Sequence, residues 1–172
     1  QILDYVDSYN WPIFPLFYIK QDGACSCGKA NCDRAGKHPI PRNGVSAATT
    51  NKDQLTKWWR SQPSANIGLA TGGESGLVVL DIDSSGTKVG QISLDNLEKQ
   101  YGKLPKTLSS QTGSGGRHYF FHSSLPIKNS TSRVGKDIDV RGTGGYVILP
   151  PSNHYSGGTY RWLNKRCAIA PM

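Results

Sequence analysis

Apolar residues near the start recur at helical spacing, with Ile2, Val6 and Tyr9 on one face, and predict a short helix. Trp11-Pro12-Ile13-Phe14-Pro15-Leu16 then reads as an extended, proline-interrupted strand. From Asp22 to Asn43 the periodicity is lost and cysteines appear, which indicates a loop. A second helix is expected from Thr50, where Thr50-x-x-Asp53 matches a capping box, through Leu55, Trp58 and Trp59 until Pro63 approaches.

Ala65 to Ala70 and Ser75 to Asp83 are β-branched, apolar runs separated by Thr71-Gly72-Gly73, and they predict a hairpin. Ser93 to Tyr101 predicts a third helix, with Leu94, Leu97 and Tyr101 on one face and Gly102 ending it. The rest is strand-rich: Ser109 to Thr112, His118 to His122, Asp137 to Val140 and Tyr146 to Pro150. Helices mixed with hairpins, without a regular strand-helix-strand repeat, point to an α+β domain with largely antiparallel sheets. No internal repeat or linker divides the chain, so one domain over 1–172 is expected.

Composition adds little to the fold and more to the partner. The 172 residues are 36% apolar, enough for one sizeable core, and no run approaches the roughly 20 apolar residues of a membrane span. Gln1 to Asn10 lacks the order of a secretion signal, so a cytoplasmic protein without membrane contact is expected. A formal charge of +8, spread along the chain, suits a polyanionic partner or simply a solvated basic surface.

Leu77-Val78-Val79-Leu80-Asp81-Ile82-Asp83 is a buried-type strand ending in two acids one residue apart. Alternation sends Asp81 and Asp83 to the same side, where their repulsion is relieved by protonation or by a bound cation. An isolated Asp-x-Asp also commonly ends a strand and caps a turn. The pattern recurs in Asp137-Ile138-Asp139-Val140-Arg141-Gly142, and adjacent strands would bring three or four carboxylates together as oxygen ligands for Mg²⁺ or Mn²⁺. Spacing does not choose between Asp137 and Asp139.

Thr112-Gly113-Ser114-Gly115-Gly116-Arg117-His118 offers small residues that let backbone N–H groups approach a phosphate, then a cation and an imidazole. It lacks a P-loop ending and leads into a strand, so it fits neither mononucleotide nor dinucleotide fingerprints. A glycine-rich turn and a buried structural histidine explain the same residues without a ligand.

Cys25-x-Cys27, Cys32 and His38 form a set suited to tetrahedral Zn²⁺, which would pin a polar loop at about 22–43. Cys25 and Cys27 are awkwardly close for a disulfide, and Cys167 is left over as a free thiol.

In order, Asp81-x-Asp83, Ser114-Gly115-Gly116-x-His118 and Ile138-Asp139 resemble the three motifs of the archaeo-eukaryotic primase superfamily. Lys37-His38-Pro39, Ala65-Asn66-Ile67-Gly68, Gly144-Gly145-Tyr146-Val147 and Pro150-Pro151-Ser152-x-His154 extend the resemblance, over most of the chain, to the prim-pol branch found in plasmid and phage replication proteins.

The resemblance implies an RRM-like catalytic core with a zinc-binding loop insertion. It implies nucleotidyl transfer on a DNA template by a DNA primase or polymerase, with dNTP or NTP as substrate. Asp81, Asp83 and Asp139 would then bind the catalytic metals, and His118 would contact the nucleotide. Ser114, Arg141 and Lys37 would lie near it; the glycine loop adds Gly115, Gly116 and Arg117 as expected nucleotide-binding residues, and Tyr146, just after a glycine pair, is expected under the sugar. A helicase domain or protein is the implied partner, and the chain the implied piece of a larger replication protein. Two rivals are a metal-dependent nuclease and a non-catalytic module binding single-stranded nucleic acid through Trp58, Trp59 and Tyr155.

Overall fold

The computed structural model describes residues 2–172. Helix α1 (Ile2–Tyr9) leads into strand β1 (Ile13–Leu16); α2 (Lys52–Ser61), β2 (Asn66–Ala70), β3 (Leu77–Ile82) and α3 (Gly90–Tyr101) follow. Strands β4 (Ser109–Gln111), β5 (Arg117–His122), β6 (Ser130–Gly135), β7 (Ile138–Arg141), β8 (Tyr146–Leu149), β9 (Arg161–Trp162) and β10 (Ala170–Pro171) complete the chain. The mixed α+β class with largely antiparallel sheets is as expected.

The strands make two sheets. A small one runs β1-β2-β8, and a large one runs β6-β7-β3-β5-β4-β9 with β10 parallel to β5. Pro15 is accommodated because β1 is an edge strand, where a missing N–H costs no ladder bond.

Alternation along β3 decides what packs on each face of the large sheet. Leu77 and Val79, with Phe120, meet Ile67, Leu69, Val147 and Leu149 of the small sheet and Tyr5, Trp11 and Leu55. Val78, Leu80 and Ile82, with Phe121, Ile138 and Val140, meet Leu94 of α3. Asp81 therefore lies on the face shared with the small sheet.

Several expectations need correction. The run Ala65 to Asp83 is not a hairpin, since β2 and β3 belong to different sheets and share only the bridge Gly72↔Leu77. Gly72 and Gly76, at φ 71° and 57°, allow the turn that carries the chain across; a Cβ on Gly72 would stand 2.3 Å from Thr143 Cα.

The cap of α2 is Asn51, whose side chain accepts the Gln54 N–H, and not Thr50 with Asp53. Helix α3 starts at Gly90, whose N–H reaches the Asp83 carbonyl, and its Tyr101 is 76% exposed instead of packed. Asp137 is not in a strand: it turns the chain at φ 60° and accepts bonds from Lys88 Nζ and the Val89 N–H, away from Asp139. Strand β6 escaped the hydrophobic pattern because its residues are mostly exposed and polar.

Candidate active site

Three neighbouring strands set the centre of the site. In the antiparallel ladders Asp81 is the direct partner of Asp139 on one side and of His118 on the other, so the three side chains form a row across β7, β3 and β5. His118 Nε2 lies 3.4 Å from Asp81 Oδ1. Arg141 Nη2 donates to both Asp139 Oδ2, at 2.8 Å, and Asp81 Oδ2, at 3.3 Å, so one nitrogen bridges the carboxylates. Asp139 Oδ1 also accepts the N–H of Ser132, a β6 residue held at φ 52°.

The electrostatics follow from burial and neighbours. Burial by itself would raise Asp81, but the His118 imidazole and the Arg141 guanidinium outweigh it and hold this carboxyl below its ordinary value. Asp83 goes the other way: burial raises it first and the charge of Asp81 second, with Lys88 opposing and Asp139 adding. A carboxyl in that position is short of positive charge. Asp81, Asp83 and Asp139 are oxygen donors of the kind a hard divalent cation takes, but among the described residues only the Cys₃His set brings its ligand atoms within 4.8 Å of one another.

The row opens on a cleft of about 400 Å³ lined among others by Lys37, Asp81, Asp83, Ser114, His118, Arg141 and Tyr146. That is within the range of small-ligand pockets. Lys37 feels burial first, which lowers its pKa, against the raising charges of Asp81 and Asp83. Tyr146 lines the cleft with its ring, edge-on to Phe14, and its hydroxyl donates to the Lys37 carbonyl at 2.9 Å.

Not every expected residue arrives there. Arg117 pairs opposite Ile82 and so falls on the α3 face, where its guanidinium donates to Tyr119 Oη at 3.3 Å. Gly115 and Gly116 form the turn but are not in the cleft wall, unlike Ser114 and Thr112. A Cβ on Gly116 would meet the Ile82 carbonyl at 2.5 Å, and one on Gly113 would meet His154 Cβ at 2.2 Å. Close packing therefore requires glycine at 113 and 116.

Cys25, Cys27, Cys32 and His38 converge, each offering one ligand atom within 4.8 Å of the others. His38 Nε2 is 3.4 Å from Cys32 Sγ and 3.6 Å from Cys25 Sγ. A tetrahedral ion with Zn–S of ~2.3 Å and Zn–N of ~2.0 Å separates S from N by about 3.5 Å, so the set fits zinc. Burial, then the charges of Lys29 and Arg34, lower His38 and keep its imidazole neutral, as a ligand must be. His38 thus turns to the thiols while Lys37 turns to the cleft. Asn66 fixes the segment by donating to the Gly36 carbonyl at 2.8 Å.

Several lining residues carried no sequence signal. Asp33 and Arg34 reach the wall because they follow Cys32 in the pinned loop, and Asn129 and Tyr160 come from segments without a motif. Buried Tyr160 has its pKa pushed up by desolvation and by Asp81 and Asp83. His154 is buried, with Nδ1 accepting the Ser156 N–H and Nε2 unpartnered. Trp58 and Trp59 pack against the core, and Trp59 Nε1 donates to the Ala65 carbonyl.

Fold and site together define a class: a mixed α+β domain whose antiparallel sheet presents carboxylates, an imidazole and cations to a cleft, beside a Cys₃His cluster able to hold zinc. Residues 2–172 match the family model for the N-terminal domain of bifunctional DNA primase/polymerases, and the chain belongs to that family. Membership implies a nucleotidyltransferase-type enzyme with DNA and nucleotide substrates. No curated protein matches the chain. Among the described residues no helix is long and apolar enough to cross a membrane.

Proposed function

We propose that this chain catalyses template-directed nucleotidyl transfer, as a DNA primase, a DNA polymerase or both, using nucleoside triphosphates. The observation that carries the reading is the row of Asp139, Asp81 and His118 on adjacent strands, of which Asp81 and His118 line the cleft. Asp81, Asp83 and Asp139 are the residues that would hold Mg²⁺ or Mn²⁺. Such ions, when bound, lower the pKa of an attacking 3′-hydroxyl and neutralise the triphosphate.

The remaining groups position and neutralise. In the reaction the 3′-oxygen bonds to the α-phosphorus, the bond from that phosphorus to the bridging oxygen breaks, and pyrophosphate leaves. Lys37 and Arg141 supply fixed positive charge to the phosphates, His118 and Ser114 supply hydrogen bonds, and the Tyr146 ring lies beside the sugar. The Cys₃His loop, at about 22–43, holds Lys37 in the wall through the neighbouring His38. The wider setting we infer from the resemblance is a cytoplasmic plasmid or phage replication protein in which a helicase works with this domain.

The test is an extension assay with Mg²⁺ or Mn²⁺ on primed and unprimed template. Products longer than the primer support polymerase, products made without primer show priming, and shortened primers mean a nuclease. Asp81→Asn should lose nearly all incorporation, by a factor of roughly 10³ or more, while DNA binding is kept. Intact function in Asp81→Asn would instead mean a binding module.

A further inference from the structure

Two tyrosines line the cleft, and their hydroxyls differ in what they are free to do. Tyr146 Oη is committed to the Lys37 carbonyl. Tyr160 Oη has no hydrogen-bond partner among the described residues, although the residue is only 4% exposed. Its ring is fixed between two imidazoles, at 6.1 Å from His118 and 6.2 Å from His154, and its backbone N–H is held by the Ser152 carbonyl.

Tyr160 Oη is not among the buried polar atoms shut off from any partner, which are Ser110 Oγ, His118 Nδ1 and His154 Nε2, so this hydroxyl opens to the cleft. Here it faces the electrostatic field of Asp81 and Asp83 and stays a neutral donor. Neither acid is within hydrogen-bonding reach of it, so the proton is available to a third group in the cleft. The nearby acids are those proposed to hold the divalent ions, which draw polyphosphate to this end of the cleft. Tyr160 packs in the cluster of Phe14, Leu16 and Ile148 with Tyr146 against it, while its ring lies 6.1 Å from that of His118, whose Nε2 is 3.4 Å from Asp81.

We propose that Tyr160 is a nucleotide-binding residue whose hydroxyl donates a hydrogen bond to a phosphate oxygen of the incoming nucleoside triphosphate. This rests on the nucleotidyl-transfer reading and adds to it a contact no motif indicated. Its ring packing survives replacement by phenylalanine, so the variant removes the donor and little else.

The experiment is calorimetric titration of wild-type and Tyr160→Phe protein with dATP, ATP and dAMP in the presence of Mn²⁺, with melting temperature measured alongside. Loss of a hydrogen bond to a charged acceptor weakens binding by about tenfold or more. The expected result is that loss for dATP and ATP alike, a smaller one for dAMP, and an unchanged melting temperature. Equal triphosphate affinities in the two proteins overturn the proposal alone, as does a loss confined to ATP, which would put the hydroxyl at the sugar. A wild-type protein that binds no triphosphate overturns the nucleotidyl-transfer reading and this proposal together. If Tyr160→Phe melts much lower, Tyr160→Met, which has no donor, is titrated instead, and a triphosphate affinity in it equal to that of the wild type also rejects the proposal.

Discussion

Asp81 and Asp139 stand directly opposite each other on neighbouring antiparallel strands, and a single nitrogen of Arg141 bonds to both. The guanidinium therefore occupies the position between the acids where positive charge is most needed. Removing it leaves two carboxylates, 16% and 14% exposed, facing each other with no cation between them. Arg141→Ala should lower stability in the absence of divalent ions by about 1–2 kcal/mol, the pair being partly screened because the Arg141 side chain is 34% exposed. Added Mn²⁺ should recover much of that loss, and Arg141→Lys only part, because an ammonium is more strongly hydrated than a guanidinium and costs more to hold between the acids. Denaturant unfolding with and without Mn²⁺ checks this; a variant as stable as wild type in metal-free buffer would refute it.

Asp83 gives the pH dependence of the acid centre. Its folded pKa is raised, so its contribution to stability is present below the ordinary carboxyl value and is lost as pH rises through the folded one. Asp83→Asn should consequently melt higher than wild type at pH 7 without divalent ions, and the gap should close near pH 3. The same substitution should abolish incorporation and the stabilisation that Mg²⁺ or Mn²⁺ gives the wild type. Identical melting curves at pH 7 would contradict this.

His154 works in the opposite sense. Burial, followed by the charge of Lys37, pushes its pKa down to about 4. An unfolded histidine takes up a proton at about 6.5, so stability is present above that value and lost as pH falls towards 4, by at most about 3 kcal/mol. His154→Gln should flatten the pH dependence of unfolding between those limits. Parallel wild-type and variant profiles would exclude it.

The metal loop is tested by composition. Wild-type protein should contain one zinc per chain by elemental analysis, and both Cys32→Ser and His38→Ala should lose most of it. Because Lys37 is positioned through His38, nucleotide binding should weaken in both, by roughly tenfold for one displaced charge contact. Full zinc retention in both variants would rule out the assignment.

Tyr146→Ala should alter the ratio of dNTP to NTP incorporation several-fold, the scale of one hydrogen bond and its associated packing. It removes both a ring from the cleft wall and the anchor of the Lys37 carbonyl. An unchanged ratio would remove Tyr146 from sugar selection.

The centre of the site was legible in the chain because alternation is a strong local rule. Asp81 and Asp83 follow four consecutive aliphatics, so their shared face could be read directly, whereas alternation left Asp137 and Asp139 equivalent and only the motif resemblance singled out Asp139. Asp137 obeys the same spacing yet leaves the site, because a left-handed turn and the Lys88 contact decide its direction. The supposed hairpin failed for a similar reason: turn residues mark a reversal but not which sheet receives the next strand. Arg34, Asn129 and Tyr160 reach the cleft only through tertiary packing, and single residues in loops leave no periodic trace.

The row across β7, β3 and β5 makes the proposed catalytic centre all-or-none with respect to strand pairing. Sliding β3 by one residue against its neighbours would turn Asp81 toward α3 and bury Ile82's aliphatic chain where charge is required. Misaligned chains would hence be inactive even if compact, so specific activity per chain measures how much of a preparation has found the correct alignment.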